Sequence, residues 1–136
     1  MSLVKIVDLV NLGDSRGLLG VLEQNKNIPF EVKRVYYLVN TKSGTGRGFH
    51  AHKELEQVAV CVVGSCKMHL DNGTEKIEVL LDSPFRAIRI EPKVWHEMHE
   101  FSSDCVLLVL ASEHYDESDY IRDYQEFIKY LSSSKS

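Results

Sequence analysis

The chain has no apolar run approaching the roughly 18 residues that a bilayer-spanning helix needs, which argues against a transmembrane protein. The opening stretch MSLVKIVDLVNLGD carries Lys5 and Asp8 among its apolar residues, so it does not read as a secretory signal. Positive charge is not in excess either. Sixteen Lys and Arg against 20 Asp and Glu leave a formal net charge of −4, without the basic patch that nucleic-acid binding requires. Cysteine is scarce: Cys61, Cys66 and Cys105 are the only three, they show no CxxC spacing, and they lie in apolar, strand-like sequence. They argue against a zinc site and read as reduced, buried thiols of a cytoplasmic protein. No internal repeat and no linker interrupts the 136 residues. The expectation is a single domain over 1–136, long enough to bury a core without disulfides or metal.

What the chain does have is turn chemistry at short intervals. NLGDSRG, NKNIP, TKSGTG, DNG, DSP and EP are loop signals. Between them lie LLGVLE, FEVKRVYYLV, QVAVCVV, CKMHL, KIEVLL, FRAIRI and CVLLVLAS, short stretches rich as a group in Val, Leu, Tyr and Phe. HLDNGTEKIEV is the clearest hairpin, because Asn72-Gly73 suits the positive φ angles of a type I′ turn. Short strands with frequent turns predict an all-β barrel or sandwich. In the tail, DESDYIRDYQEFIKYL places Tyr120, Tyr124, Phe127, Ile128 and Leu131 at helical spacing. That predicts an amphipathic helix packed on the β core, followed by a fraying SSSKS.

The stretch GRGFHAHKELEQVAVCVVG carries His50 and His52 just ahead of an alternating run. On a strand, residues i and i+2 share a face, so both imidazoles point into one space. One reading is a metal site of the cupin type, with His-x-His, a carboxylate a few residues on and a later histidine. The carboxylate position holds Gln57, Glu56 beside it faces the other way, and EPKVWHEMHEF offers His96 in a degraded second motif. A neutral amide is a poor ligand for a divalent cation in place of a carboxylate. The other reading is acid–base chemistry by two imidazoles titrating near neutrality.

Five blocks in order, DSRG (14–17), IPFEVKRVYYL (28–38), RGFHAHK (47–53), VWHEMHEFSSDCVLLVLAS (94–112) and YDESDYIRDYQEF (115–127), resemble the dTDP-4-keto-6-deoxyglucose 3,4-ketoisomerases of the WxcM-like (FdtA-like) cupin family. The resemblance covers nearly the whole chain. It implies a cupin-type jelly-roll barrel with a C-terminal amphipathic helix, a homodimer with exchanged N-terminal strands, and no catalytic metal or other cofactor. The reaction implied moves a carbonyl from C4 to C3 of a dTDP-linked 4-keto-6-deoxyhexose, feeding 3-amino-deoxysugar synthesis.

The resemblance makes His52 the base for the C3 proton. His50 would orient the sugar or relay a proton, and Tyr37 would hold or protonate an oxygen, with Tyr36 as its rival. His96 and His99 are expected at the same cavity. For the pyrophosphate, Arg47 is the first candidate, although on an ideal strand it faces away from the histidines unless the glycines beside it bend the chain. Arg34 follows, then Arg16, which would reach the partner subunit's site if the N-terminal strand is exchanged. Arg16 with His99 resembles the members that form the galacto-configured product. A 3,5-epimerase, a non-catalytic sugar-nucleotide-binding cupin and a metal-dependent oxygenase share the fold and are separated only by the site.

Overall fold

The structure, a computed structural model, describes residues 3–42 and 44–134. Ser43 of the TKSGTG loop and Lys135 and Ser136 of the closing SSSKS lie outside the described residues. The chain is all-β with one short helix. Its strands are β1 (Lys5–Asp8), β2 (Arg34–Leu38), β3 (Arg47–His52), β4 (Gln57–Val63), β5 (Cys66–Asp71), β6 (Lys76–Leu81), β7 (Arg86–Ile90), β8 (Trp95–His99), β9 (Val106–Ala111) and β10 (Tyr120–Ile121), followed by helix α1 (Tyr124–Ser134). They form two five-stranded sheets, β1-β7-β4-β9-β2 and β10-β3-β8-β5-β6, with every pairing antiparallel. Period-two alternation turns Cys61, Met68, Leu70, Ile88, Met98, Leu107 and Val109 into the space between the sheets, where they form the main core. Among the described residues no helix is long and apolar enough to cross a membrane.

Four local expectations change. LLGVLE forms no strand: residues 10–20 make an arm closed by an Asp14–Gly17 bridge, with Val10, Leu12, Leu18 and Leu19 all more than half exposed. None of the described residues covers them, so within this chain the apolar pattern joins no sheet. The β5–β6 hairpin forms, but Gly73 alone in its loop has positive φ, and the Asn72 side chain instead accepts from the backbone N–H of Thr74 and Glu75. The predicted helix starts late. Glu117–Asp119 is a 3₁₀ turn capped by the Asp116 side chain, and Tyr120 and Ile121 pair with His52 and Ala51 on the free edge of β3. From Tyr124 onward the amphipathic reading holds, with Phe127 buried against Trp95 and Tyr124 on the outer face of β8. Finally, β1 pairs in register with β7 of its own chain, and Leu3, Val4 and Ile6 pack on the main core. The N-terminal strand therefore has something to bury against without a partner.

The feature that positions the site is a bulge in β3. Arg47 is opposite Met98 and His50 is opposite His96, so three residues of β3 advance while two of β8 do. Gly48 (φ +91°) and Phe49 (φ +57°) take up the extra residue. Directly paired residues share a face, so Arg47 and His50 both point inward with Met98 and His96. A Cβ on Gly48 would stand 2.9 Å from the His96 carbonyl oxygen. Gly48→Ala is therefore expected to cost about 1–3 kcal/mol in urea unfolding. An unchanged unfolding midpoint would show that the bulge is not under this constraint.

Candidate active site

Three histidines meet inside the β3–β8 edge. The ring of His50 lies 4.9 Å from that of His52 and 4.5 Å from that of His96, centroid to centroid, and the Tyr120 ring closes the group at 4.9 and 4.3 Å from His50 and His52. Their protonation follows from their partners. Nδ1 of His50 contacts the Gly48 carbonyl at 3.0 Å, Nδ1 of His96 the Val94 carbonyl at 3.3 Å, and Nδ1 of His52 the Asp119 carboxylate at 3.0 Å. A carbonyl or carboxylate oxygen only accepts, so each Nδ1 donates and each Nε2 keeps its lone pair. Nε2 of His50 and of His52 are buried and make no hydrogen bond within the chain.

Burial sets the charge of this cluster. It lowers His50, His96 well below the ordinary range, and His52 to about 3, the last helped by His50, Arg34 and Arg122. The Asp119 contact works in the opposite sense and favours an imidazolium at His52 when a proton arrives. At neutral pH all three rings are neutral bases. Asp119 is itself a hub: its carboxylate also accepts from Glu54 N and Leu55 N at 2.8 and 3.3 Å, and its carbonyl accepts from Lys53 N.

A cleft of about 270 Å³ opens onto this group, lined by His50 with Arg34, Tyr36, Arg47, Tyr120 and Arg122. His52, expected from the resemblance to be the base, stands behind His50 at 2 % exposure, and the Nε2 atoms of both rings are buried. Arg34 and Arg47 reach the cleft, and Arg34 Nε is buried without a hydrogen bond. Arg122 is held to Glu117 by two hydrogen bonds of 2.8 and 2.9 Å and lies over the Tyr120 ring at 4.2 Å. Tyr36 faces inward and accepts from Gln57 Nε2 at 2.5 Å. Burial, with Tyr120 adding to it, pushes its phenol up to about 12, so it keeps a proton to donate.

The other sequence candidates lie elsewhere. Tyr37 is on the outer face of β2, 64 % exposed, because the even residues of β2 turn inward. His99 sits on the outer face of β8, 2.8 Å from Glu97 and against Phe49, while His96 one step of parity away faces in. Arg16 is at the tip of the exposed arm, paired with Asp14. Asp119, Tyr120 and Arg122 were missed as site residues because DESDYIR reads as the first turns of a helix. The departure of Tyr120-Ile121 to the β3 edge depends on a strand nearly 70 residues earlier.

A cation could be offered one ring nitrogen each from His50, His52 and His96, which lie within 4.8 Å of one another. Among the described residues the set holds no carboxylate. Gln57 stands at that position, its Nε2 donates to Tyr36 and its Oε1 is buried without a partner, and a neutral amide oxygen is a poor substitute for a carboxylate on a divalent cation. The residues fit a metal centre incompletely.

The buried imidazoles make stability depend on pH. Unfolded histidines titrate near 6.5, whereas these folded ones are depressed, His52 to about 3. Between those values the unfolded chain binds more protons, so stability is full above the unfolded value and falls as pH drops toward the folded one. The thermal midpoint should decline from about pH 7 to about pH 4.5, less steeply in His96→Gln. Identical slopes in the two proteins would show that His96 is not held neutral.

Residues 2–132 match the family described as FdtA: WxcM-like, C-terminal. The chain is 57 % identical over 127 residues to the TDP-4-oxo-6-deoxy-alpha-D-glucose-3,4-oxoisomerase of Aneurinibacillus thermoaerophilus, covering 93 % of this chain and 91 % of that one. Among solved structures, a 3,4-ketoisomerase from Helicobacter canadensis superposes with a TM-score of 0.92 at 45 % identity, over 95 % of this chain and 97 % of that one. A mutant of the 3,4-ketoisomerase QdtA from Thermoanaerobacterium thermosaccharolyticum, in complex with TDP-4-keto-6-deoxyglucose, gives 0.94 at 40 % identity over 98 % and 96 %. With its jelly roll, its inward histidines and these relatives, the chain belongs to the WxcM-like FdtA family.

Proposed function

We propose that this chain is a sugar-nucleotide isomerase that converts dTDP-4-keto-6-deoxyglucose to its 3-keto isomer. The observation that carries this reading is one cleft walled by an uncharged imidazole, His50, with a protonated phenol and three guanidinium groups, and with His52 and His96 packed behind His50. The substrates named for the relatives support it.

The chemistry needs no oxidant. The C3 hydrogen is acidified by the C4 ketone, and His50 Nε2 takes it as the group on the cleft wall. His50 also lies closer to neutrality than His52, which makes it the better base of the pair. The electron pair moves onto O4, giving an enediolate, and the Tyr36 O–H donates to the developing negative charge. The proton returned by the imidazolium lands on C4 while the O3 proton passes to O4, so C3 becomes the carbonyl and the atoms balance. His52, held by Asp119, orients His50 and serves as a relay. Arg34 and Arg47 neutralise the diphosphate as charge-assisted donors.

His50 is the imidazole on the cleft wall, and His52 and His96 pack against it on the same side. Removal from C3 and delivery to C4 on the same face of the ring places the C4 hydroxyl axial, which is the galacto-configured product. For assembly, we propose a homodimer in which the arm of residues 10–20 is exchanged. Its apolar residues, with Val35 and Tyr37 of edge strand β2 and Val39 just beyond it, are exposed hydrophobic groups that a second copy would cover. Exchange would carry Arg16 to the partner subunit's cleft. Light scattering at micromolar concentration should give twice the chain mass; a monomer that retains turnover would refute exchange. The reducing cytosol suits Cys61, a free thiol in hydrogen-bond contact at 3.7 Å with the thiols of Cys66 and Cys105 and joined to neither by a disulfide.

The reaction is tested in D₂O with dTDP-4-keto-6-deoxyglucose, followed by NMR with and without a chelator. In D₂O, deuterium should appear at C4 of a 3-keto product to the extent that the imidazolium exchanges with solvent before it returns its proton. In H₂O that product should show a small H4–H5 coupling, and chelation should change neither result. His50→Asn should lose about 10²–10⁴-fold in turnover with dTDP affinity kept. Label at C5, or a carbonyl that stays at C4, would instead identify an epimerase.

A further inference from the structure

We propose that the outer face of the β8-β5-β6 sheet carries a second site, for a divalent cation of the zinc type, built from His69, His99, Glu97 and Glu78 and facing away from the catalytic cleft. On β8 the inward residues are His96 and Met98, so Glu97 and His99 point outward. Register places His69 directly between Glu97 of β8 and Glu78 of β6, with His99 one pair along. Four side chains with nitrogen or carboxylate donors therefore meet across three adjacent strands.

The distances suit a cation. His99 Nε2 lies 2.8 Å from Glu97 Oε1, and His69 Nε2 lies 3.3 Å from Glu78 Oε2. Ligand bonds of about 2.0–2.1 Å in a tetrahedral zinc site imply ligand–ligand edges of roughly 3.3 Å, so the His69–Glu78 pair already stands at such an edge. The His99–Glu97 pair, now hydrogen-bonded, would open by about 0.5 Å to admit the cation. The two imidazole rings are 4.4 Å apart, and one donor atom from each of His69, Glu97 and His99 falls within 4.8 Å of the others. Closing the set needs side-chain rotations only.

Two further observations point to a ligand. His69 Nε2 is shielded from solvent yet makes no hydrogen bond, since its approach to Glu78 lies off the axis such a bond requires. Glu97 is fixed from behind: its second oxygen accepts from Trp95 Nε1 at 2.8 Å, leaving Oε1 turned to His99. A ligand carboxylate oriented by a hydrogen bond of this kind is the usual support of a metal centre. Burial works against the Glu97 charge, but Trp95 and His99 together hold its carboxyl below the ordinary range. Lys67 lies 3.4 Å from Glu78 and 3.2 Å from Glu100, so it has a second acid to turn to when Glu78 binds.

The site would act on the wall of the cleft through packing. The His99 ring lies beneath Gly46, where a Cβ would come within 2.7 Å of it, and Arg47 follows in the chain. A cation that pins His99 stiffens the loop that presents Arg47.

The test titrates Zn²⁺ into chelator-stripped, full-length protein by calorimetry and follows each imidazole by NMR. The expected result is one site that perturbs the His69 and His99 signals. His69→Ala and His99→Ala should each weaken that site at least about tenfold, and His50→Asn should leave its affinity unchanged. Zinc that shifts only His50, His52 and His96, or shifts no imidazole, overturns the proposal. So does wild-type affinity in His69→Ala. Imidazole shifts in the wild-type protein answer the question even where a variant fails to fold, and binding is read without turnover, so the result is independent of the isomerase reading.

Discussion

One extra residue in β3 decides what the cleft contains. A strand without the bulge at Gly48-Phe49 would alternate strictly, and Arg47 would lie outside the barrel while His50 lay inside. With it, cation and base share a face, and the His50 ring is pinned by its own Nδ1 to the Gly48 carbonyl at 3.0 Å. The same backbone kink thus supplies the parity change and the acceptor that fixes the His50 tautomer. Because the kink occupies φ values that a β-carbon resists at Gly48, the site rests on a conformation that the surrounding sheet has to maintain.

The second dependence is on the tail. Residues 117–121 leave the helical pattern, add a two-residue strand to the edge of β3 and bring Asp119 under His52. Asp119 at the same time ties down the backbone of residues 53–55. Helix α1 then buries Phe127 over Trp95 on the outside of β8, which anchors the segment. Packing of a peripheral helix therefore holds the buried His52 imidazole in its orientation.

Electrostatically, the cleft sets burial against charge. Arginines at its mouth suit an anionic nucleotide, yet they and the desolvation of the interior disfavour any further positive charge, which keeps the imidazoles unprotonated and ready to accept. Tyr36 experiences the mirror of this effect: burial favours its neutral, proton-bearing form. One environment thus provides a base and a hydrogen-bond donor side by side.

The strand pattern, the amphipathic turns of α1, the common face of His50 and His52 and the replacement of a carboxylate by Gln57 were all legible in the sequence, because each depends on spacing within a few residues. Which of Tyr36 and Tyr37 faces inward was not, since both lie in a run where either parity is apolar enough, and only the pairing of β2 with β9 selects the even positions. The entry of Arg47 into the cleft required a bulge, and a bulge is defined only against the partner strand it slips past. His99 was expected beside His96 from its nearness in sequence, and alternation carried it to the opposite surface. Asp119 and Tyr120 reached the histidines through a pairing that spans nearly 70 residues. Local periodicity is written in the chain; which face is inside, and what distant segment closes an edge, is settled only when the sheets pack.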